Sequence, residues 1–195
     1  MSGLLAAHRL TQAGIPFTIL EKNGDVGGTW LENVYPGCRV DNPNHNYSYS
    51  FAQRHDWPFH FSTQDVLLRY FRECADAFAV RPHVRFDTEV LRAEWSEADA
   101  RWRVHTRAAD GREDVLEAEV LISAVGQLNR PRYPDIEGFG TFTGPAFHSA
   151  TWDHGVDLAG KRVAVIGTGA SAAQFVPEIA PVVGELHVFQ RTPPW

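Results

Sequence analysis

The sequence has 195 residues, of which 44% are hydrophobic and 22% are charged, an ordinary balance for a folded globular protein. Its 18 basic and 24 acidic residues give a formal net charge of −6, and without a basic run this argues against a nucleic-acid or anionic-membrane partner. No membrane span of roughly 18 apolar residues, export signal, metal-binding spacing or close cysteine pair is recognisable, so we expect a cytoplasmic protein without a metal site.

The beginning of the chain predicts the second half of a dinucleotide-binding βαβ unit. The opening residues have the pattern of a helix, Gly14 suits its C-terminal turn, and residues 17–21 suit a buried strand. Gly3 stands where the third glycine of the nucleotide fingerprint would lie. Glu21 stands where a carboxylate binds the ribose of FAD; a solvated surface acid is the alternative. The strand and glycines that normally come first are absent, so we expect an internal part of a longer protein.

The middle of the chain predicts a helix, an antiparallel meander and one more buried strand. Apolar residues recur with helical spacing up to Phe78, starting after Ser62 or Thr63, either of which could cap the helix. A hairpin turn is predicted at Asp110-Gly111, and Val120–Gly126 predicts a buried parallel strand that ends in a glycine at the ligand edge. The predicted meander strands are Val84–Trp95, Arg101–Thr106 and Asp114–Ala118.

A second βαβ pattern lies near the end of the chain. The predicted strand Arg162–Ile166 leads into a G-x-G-x-x-A turn that opens a helix reaching Ile179. Such a glycine pattern alone is weak, but a strand before it and a helix after it favour a dinucleotide site over a tight turn without a ligand. The predicted cofactor contacts in this turn are Gly167, Thr168, Gly169 and Ser171.

The residues after the next predicted strand, Leu186–Phe189, indicate which dinucleotide binds. Arg191 lies 24 residues after Gly167, close to the spacing of about 20 at which an acidic residue would select NAD. A guanidinium at this place suits the 2′-phosphate of NADPH, and we expect Thr192 beside it to contact the cofactor too. An exposed arginine at the end of a strand is the alternative interpretation.

Two longer motifs carry more information than the glycine turns. The segment from Gly27 to Asp41 reads G-G-x-W-x4-Y-P-G-x3-D, and the segment from Phe142 to Asp153 reads F-x-G-x-x-x-H-x-x-x-W-D. Paired glycines suit a backbone that passes close to a flat cofactor, and Tyr35-Pro36-Gly37 suits a tight turn. Both motifs resemble the signatures of type I Baeyer–Villiger monooxygenases.

This resemblance implies a flavoenzyme that uses FAD, NADPH and O2 to convert ketones to esters or lactones. In the family, the aspartate of the first motif, here Asp41, lies by the flavin and helps to place an essential arginine, which we expect beyond Trp195. The resemblance also implies that Trp30 lines the flavin side of the site and that Gly28 and Thr29 are further cofactor contacts.

The second motif and the segment after the first one carry further implications of the resemblance. His148 and Trp152 would couple domain movement to NADPH binding rather than carry out the chemistry. The segment Asn42–Phe51 resembles the 4-hydroxyacetophenone monooxygenase branch of the family. A packed flavin-side loop with no influence on the substrate is equally consistent with this segment.

The predicted fold class is α/β, with two dinucleotide-binding (Rossmann-like) domains, both incomplete, and a β-meander insertion. We expect a partial FAD-binding domain at residues 1–137. A linker that contains the second motif would follow at residues 138–160, and the NADPH-binding domain would begin at residues 161–195.

Two alternatives to a Baeyer–Villiger enzyme stay open. An N- or S-oxygenating flavin monooxygenase shares the two-domain plan, although it usually has tyrosine at the position of Trp152. A non-catalytic nucleotide-binding fragment is the other alternative, because the first strand and the essential arginine are absent from the sequence. A flavin disulfide reductase is excluded, since Cys38 and Cys74 are 36 residues apart and form no redox-active pair.

Overall fold

The computed structural model describes residues 1–193 and has an α/β fold. Short 3₁₀ turns lie at Arg81–His83, Phe139–Thr141 and Ser149–Thr151. The helices are α1 (Ser2–Gln12), α2 (Thr29–Glu32), α3 (Gln64–Ala77) and α4 (Ala170–Ile179). The strands are β1 (Ile19–Leu20), β2 (Val84–Arg85), β3 (Thr88–Ser96), β4 (Arg101–Ala108), β5 (Glu113–Ala118), β6 (Arg162–Ile166) and β7 (Glu185–Phe189). Within residues 1–193, no helix has both the length and the apolar character that a membrane crossing requires.

The chain forms two compact units, each built from two separate stretches of sequence. The first unit contains Met1–Gly28 and Arg69–Asn129, and the second contains Thr29–Leu68 and the chain from Arg130 onward. Each unit thus combines stretches that are distant in sequence, whereas the predicted domains are continuous stretches. The domain boundaries predicted at residues 137 and 161 therefore stay a prediction.

In the first unit, α1 ends as its sequence predicts. Gly14 has a φ of +66°, the left-handed conformation that glycine adopts without steric cost. The amide of Gly14 donates to the carbonyl of Thr11 at 3.1 Å, and the amide of Ile15 donates to that of Leu10 at 3.0 Å. This pair of bonds is a Schellman motif, which satisfies carbonyls that the helix itself leaves without donors.

The strand predicted at residues 17–21 is shorter and less buried than expected. β1 has two residues, both half-buried, and it pairs in parallel with the equally short β2. A strand extends only as far as a neighbour offers hydrogen-bonding groups, and apolar spacing does not reveal the length of that neighbour. The prediction was right about the place of this strand and wrong about its length and burial.

The predicted helix after Thr63 is confirmed as α3. Thr63 directly precedes the helix, and its hydroxyl donates to the Asp65 carboxylate at 2.5 Å. In the first unit, α3 buries an apolar face with helical spacing, which explains why the periodicity was readable from sequence. The buried residues of that face are Tyr70, Phe71, Cys74 and Ala75.

The predicted meander is confirmed as the antiparallel sheet β3-β4-β5. Gly111 has a φ of +84° and closes the hairpin between β4 and β5, as the Asp-Gly pair predicts. The extended segment predicted from Val84 to Trp95 is interrupted, because Asp87 has a φ of +51° and separates β2 from β3. Ion pairs cross the strands of the sheet, Arg107 with Glu89 and Arg103 with Glu117, and Nε2 of His105 lies 3.2 Å from the Glu94 carboxylate.

The buried strand predicted at Val120–Gly126 is not formed. These residues have no regular secondary structure, and Val120, Ile122 and Val125 are 73%, 55% and 68% exposed. A central parallel strand needs a paired strand on each side and an apolar layer on each face. Within residues 1–193 no strand pairs with this segment, so its apolar sequence does not produce a strand.

The second unit contains the β-strand–turn–helix–strand pattern predicted near the end of the chain. β6 and β7 pair in parallel, with Arg162 opposite Glu185 and Ile166 opposite Phe189. Between them α4 buries Ala172, Phe175 and Ile179, which lie three and four residues apart on one face. This element order is confirmed almost residue for residue, because each signal in it is local.

An ionic cluster around Asp25 ties distant parts of the first unit together. The carboxylate accepts hydrogen bonds from Arg72 and Arg81, each at 2.7 Å, and from the Val26 amide at 2.8 Å. Burial alone would raise the pKa of Asp25. The hydrogen bonds from Arg81, the Val26 amide and Arg72 outweigh burial and lower that pKa below its ordinary value of 3.8.

We expect Asp25→Asn to lower the free energy of unfolding by about 1 kcal/mol at neutral pH, since it weakens charge-assisted hydrogen bonds that are partly exposed. Because the pKa of Asp25 is lowered in the folded state, its contribution is present above the unfolded value. The contribution is lost as the pH falls through the folded value. Urea unfolding of parent and variant should therefore give curves that converge below about pH 4.

The matched control is Asp56→Asn, which removes the carboxylate of an exposed pair with Arg54, where the Asp56 side chain is 70% exposed. This control should leave stability unchanged within error. An equal loss in both variants would show that the Asp25 cluster has no special role.

Candidate functional site

The glycine turn of the second unit has the geometry of a nucleotide-binding turn. Gly167 follows β6 with a φ of +107°, and its amide donates to the carbonyl of Phe189 at 2.9 Å. Gly169 caps α4 in an extended conformation. A Cβ atom at either glycine would meet nothing within 4 Å, so the turn is open on the side where a ligand would approach.

The chemistry of this turn fits the pyrophosphate of a dinucleotide. The amides in the first turn of a helix have no acceptor within the helix, and its dipole favours negative charge there. Arg191 follows β7 at the same edge of the β6-β7 pair as the glycine turn and is exposed. The side-chain amide of Gln190 reaches the Thr168 hydroxyl at 3.4 Å, and Thr192 follows Arg191 on the surface.

The first long motif forms a tight turn in the second unit. The Cys38 amide donates to the Tyr35 carbonyl at 3.1 Å, with Pro36 and Gly37 between them. Gly37 has a φ of +74°. Proline followed by a residue with positive φ is the arrangement of a type II turn, which requires glycine at its third position.

This Tyr35–Arg39 turn lies against α4. A Cβ atom at Gly37 would stand 2.9 Å from the Gln174 carbonyl oxygen and 2.8 Å from Glu178 Cγ. The Tyr35 hydroxyl donates to Gln174 Oε1 at 3.0 Å. Glycine at position 37 is therefore needed twice, for its backbone conformation and for the close approach.

Burial keeps two acidic groups of the turn protonated. Loss of solvent, opposed by the hydrogen bond from Ser171, raises the pKa of Tyr35 to about 12. Burial also raises the pKa of the Cys38 thiol above its ordinary value, against a hydrogen bond with Tyr35 that lowers it. At neutral pH the Tyr35 hydroxyl therefore stays a hydrogen-bond donor, and Cys38 is an unreactive thiol.

The second motif contributes His148 and Trp152. Nδ1 of His148 accepts a hydrogen bond from the Ala150 amide at 3.1 Å, which assigns the ring proton of the neutral form to Nε2. The Trp152 ring lies 5.2 Å from the ring of Phe147 and 5.2 Å from that of Phe175 on α4. Because Tyr35 meets Phe175 edge to face at 6.1 Å, both motifs contact the same residue of α4.

Trp30 and Asp41 occupy different environments in the second unit. Trp30 is buried, and its indole nitrogen donates to the Tyr47 hydroxyl at 3.3 Å. Its neighbour Thr29 begins α2 and is exposed. Asp41 is exposed and accepts a hydrogen bond from the Asn42 side chain at 3.1 Å. An exposed carboxylate two residues after a fixed turn is available to a ligand, whereas Trp30 is placed to pack.

Three of the predicted FAD contacts lie in the first unit: Glu21, which follows β1, and the two glycines Gly3 and Gly28. Glu21 Oε1 accepts hydrogen bonds from the backbone amide and the side chain of Asn23, at 3.0 and 2.9 Å. A Cβ atom at Gly3 would meet Ala124 Cβ at an ordinary 3.7 Å, and one at Gly28 would meet nothing within 4 Å. Part of the Glu21 carboxylate is thus already used by Asn23.

Three residues of the second unit were missed from sequence. Gln174 and Phe175 were assigned only to the helix, although both contact the motifs. Buried Asn44 holds its loop closed by donating to the Phe59 carbonyl at 2.6 Å and to the Ser62 hydroxyl at 2.7 Å. The sequence of α4 contained no signal for Gln174, because that helix also contains the polar residues Ser171 and Glu178.

Comparisons with known proteins agree with the predicted fold class. Residues 1–195 match the family described as FMO-like, flavin-binding monooxygenase-like, along the whole sequence. The chain belongs to this family. A Baeyer-Villiger monooxygenase of Streptomyces coelicolor is 52% identical to this family member over 194 residues, which are 99% of the chain and 36% of that relative.

Solved structures of flavin monooxygenases match this family member closely. The structure of OTEMO in complex with FAD and NADP gives a TM-score of 0.90 at 42% identity, over 99% of the chain and 37% of OTEMO. Cyclohexanone monooxygenase from Rhodococcus sp. Phi1 bound to NADP+ gives 0.88 at 39% identity, over 99% and 36%. The chain thus spans about a third of the length of these relatives.

These matches confirm the predicted Baeyer–Villiger resemblance and the α/β flavoprotein fold class. The finer prediction of a place in the 4-hydroxyacetophenone branch stays a prediction. The individual roles predicted for the site residues stay predictions too, because the matches describe whole chains.

We expect Gly37→Ala to displace the Tyr35–Arg39 turn from α4. The substitution adds about 1 kcal/mol of backbone strain at positive φ and a further 1–3 kcal/mol from the overlap with α4. The free energy of unfolding should fall by the sum, about 2–4 kcal/mol, measured by chemical denaturation.

Gly111→Ala is the matched control, because Gly111 also has a positive φ but its Cβ would meet nothing within 4 Å. It should lose only the strain energy of about 1 kcal/mol. Equal losses in the two variants would mean that the approach to α4 is not tight.

Proposed function

We propose that the protein to which these residues belong is a Baeyer–Villiger monooxygenase that uses FAD, NADPH and O2 to convert ketones to esters or lactones. The observation that carries this proposal is that both signature motifs contact Phe175 of α4, directly behind the nucleotide turn. The Streptomyces coelicolor relative, named a Baeyer-Villiger monooxygenase, supports the same reaction.

NADPH binding to the second unit is supported by the open glycine turn and by the charge beside it. The pyrophosphate would bind at the N-terminus of α4, in contact with the backbone of Gly167 and Gly169 and with the hydroxyls of Thr168 and Ser171. Arg191 would bind the 2′-phosphate, and Thr192 would contact it as a neutral donor.

FAD binding is supported by the residues of the first long motif and by Glu21. Bound FAD would supply the redox and oxygen-activating chemistry of the reaction. The chain would bind and orient it: Glu21 would hold the ribose, Trp30 would provide an apolar wall, and Asp41 would act at the flavin. The remaining proposed FAD contacts are Gly3, Gly28 and Thr29.

His148 and Trp152 are proposed to respond to the nucleotide rather than to take part in the chemistry. Trp152 contacts Phe175, which lies one turn beyond Ser171 on the same helix, so a shift of α4 on NADPH binding would reach Trp152 directly. His148 supports this by ordering the turn before Trp152 through its bond to Ala150.

The first test is spectroscopic and uses the purified protein incubated with FAD, passed through gel filtration and then mixed with NADPH in air. We expect retained yellow flavin, bleaching on NADPH addition, and faster NADPH consumption when a ketone is present. The first two ketones to test as substrates are cyclohexanone and 4-hydroxyacetophenone. The second one tests the predicted place in the 4-hydroxyacetophenone monooxygenase branch. The ester or lactone product is identified by mass spectrometry.

Two other results would replace this proposal. Oxygenation of an amine or sulfide without any ester from a ketone would favour an N- or S-oxygenating monooxygenase. Protein that elutes colourless and consumes no NADPH would favour the non-catalytic nucleotide-binding alternative.

Arg191→Ala should raise the KM for NADPH by about 10- to 100-fold, the loss expected for a charge-assisted contact to the 2′-phosphate. The KM for NADH, which has no such phosphate, should hardly change. Arg162→Ala is the control, because Arg162 is an exposed arginine at the opposite end of β6. A similar rise for both coenzymes would contradict the proposed contact.

A further inference from the structure

We propose that Gln174 is a positioning residue, which fixes the Tyr35–Arg39 turn on the nucleotide helix through both ends of its side-chain amide. This inference rests on the proposed function, since it concerns how the loop that carries Asp41 is placed relative to the proposed NADPH site. No sequence motif singled out this residue.

The amide of Gln174 is used on both sides. Oε1 accepts hydrogen bonds from the Tyr35 hydroxyl at 3.0 Å and from the Arg39 backbone amide at 3.3 Å. Nε2 donates to the Arg39 carbonyl at 3.0 Å. The side chain therefore pairs with both main-chain groups of Arg39, much as a neighbouring strand would.

This arrangement requires the chemistry of glutamine. Glutamate would keep the two acceptor bonds but, when ionised, would place a negative oxygen against the Arg39 carbonyl. Leucine has a similar size and can make none of the three bonds. Gly37 makes the approach possible, because any side chain there would overlap the backbone of Gln174 itself.

The position of Gln174 in α4 connects the turn to the nucleotide. Ser171 lies three residues earlier on the same helix face, in the first turn of the helix, and its hydroxyl lowers the pKa that burial raises at Tyr35. Tyr35 thus bonds to Gln174, which lies one helical turn from a residue of the proposed pyrophosphate site. The Arg39 end of the loop leads directly through Val40, which is buried, to Asp41.

A thiol probe tests the contact without any cofactor. Cys38 is buried within the turn, while Cys74 is buried in the part of α3 that belongs to the first unit, 36 residues along the chain, and serves as an internal control. In Gln174→Leu, alkylation of Cys38, resolved by peptide mass spectrometry, should become about tenfold faster because local opening costs less free energy. The rate at Cys74 should not change. Gln12→Leu, the same change on an exposed face of α1, should alter neither rate.

Gln174→Glu tests the donor to Arg39. A protonated glutamic acid can accept at one oxygen and donate from the other, as glutamine does, whereas the carboxylate cannot donate. The Cys38 rate relative to the parent at the same pH should therefore approach one as the pH falls below about 4, where the side chain becomes protonated, and rise by about pH 8. A ratio that is independent of pH would overturn the assigned donor.

Kinetics distinguish positioning from a purely structural role. In Gln174→Leu, the rate of flavin reduction per bound FAD at saturating NADPH should fall about tenfold, while the KM for NADPH stays within about twofold. This pattern is the reverse of the one expected for Arg191→Ala. An unchanged reduction rate, or a rise in KM alone, would overturn the positioning role.

The thiol and pH measurements separate failure of this inference from failure of the proposed function. If the parent protein neither binds FAD nor oxidises NADPH, the proposed function fails, and the Cys38 rates still decide whether Gln174 holds the turn. An unchanged Cys38 rate in Gln174→Leu overturns the inference even if the parent is an active monooxygenase.

Discussion

The close approach of the Tyr35–Arg39 turn to α4 is the contact on which the second unit depends. It exists because residue 37 has no side chain, which lets a main-chain turn reach the backbone of a helix. Once that approach is made, one helical turn of α4 serves three purposes. It continues the glycine turn, it pairs with the main chain of Arg39 through Gln174, and it contacts both signature motifs through Phe175. A helix used in this way cannot shift without moving everything that touches it.

The parts of the fold that were predictable are those whose signals are local. Gly14 and Gly111 were assigned correctly because a positive φ is nearly reserved for glycine, whatever surrounds it. The sequence from β6 to β7 was predicted for the same reason, since strand, glycine turn and helix follow one another without interruption. β1 and the segment Val120–Gly126 were predicted wrongly, because a strand is defined by its neighbours, and apolar composition says nothing about where those neighbours lie.

The candidate site divides in the same way. The glycine turn and both long motifs could be found because their residues have fixed spacing along the chain. Gln174 could not be found, because its partner Arg39 is 135 residues away. The contact also uses main-chain atoms of Arg39, which every residue type has, so the identity of residue 39 gives no signal. Only part of the role of Gly37 could be predicted. The sequence indicated that it lies in a turn, and the structure shows that the turn also packs against α4. Sequence motifs thus miss site residues whose role depends on tertiary contacts with main-chain atoms.

The charge pattern of the meander has a consequence for how this chain behaves among other chains. β3 and β5 are the outer strands of the three-stranded sheet, and each carries an acidic side chain that forms an ion pair with an arginine of β4, Glu89 with Arg107 and Glu117 with Arg103. The main-chain groups on the outer side of such a strand can form hydrogen bonds with a strand of another chain. A second chain that docked there would have to break or desolvate these ion pairs before gaining main-chain hydrogen bonds. The ion pairs therefore disfavour pairing of the sheet with a strand of another chain. Their modest contribution to folding stability would not reveal this effect.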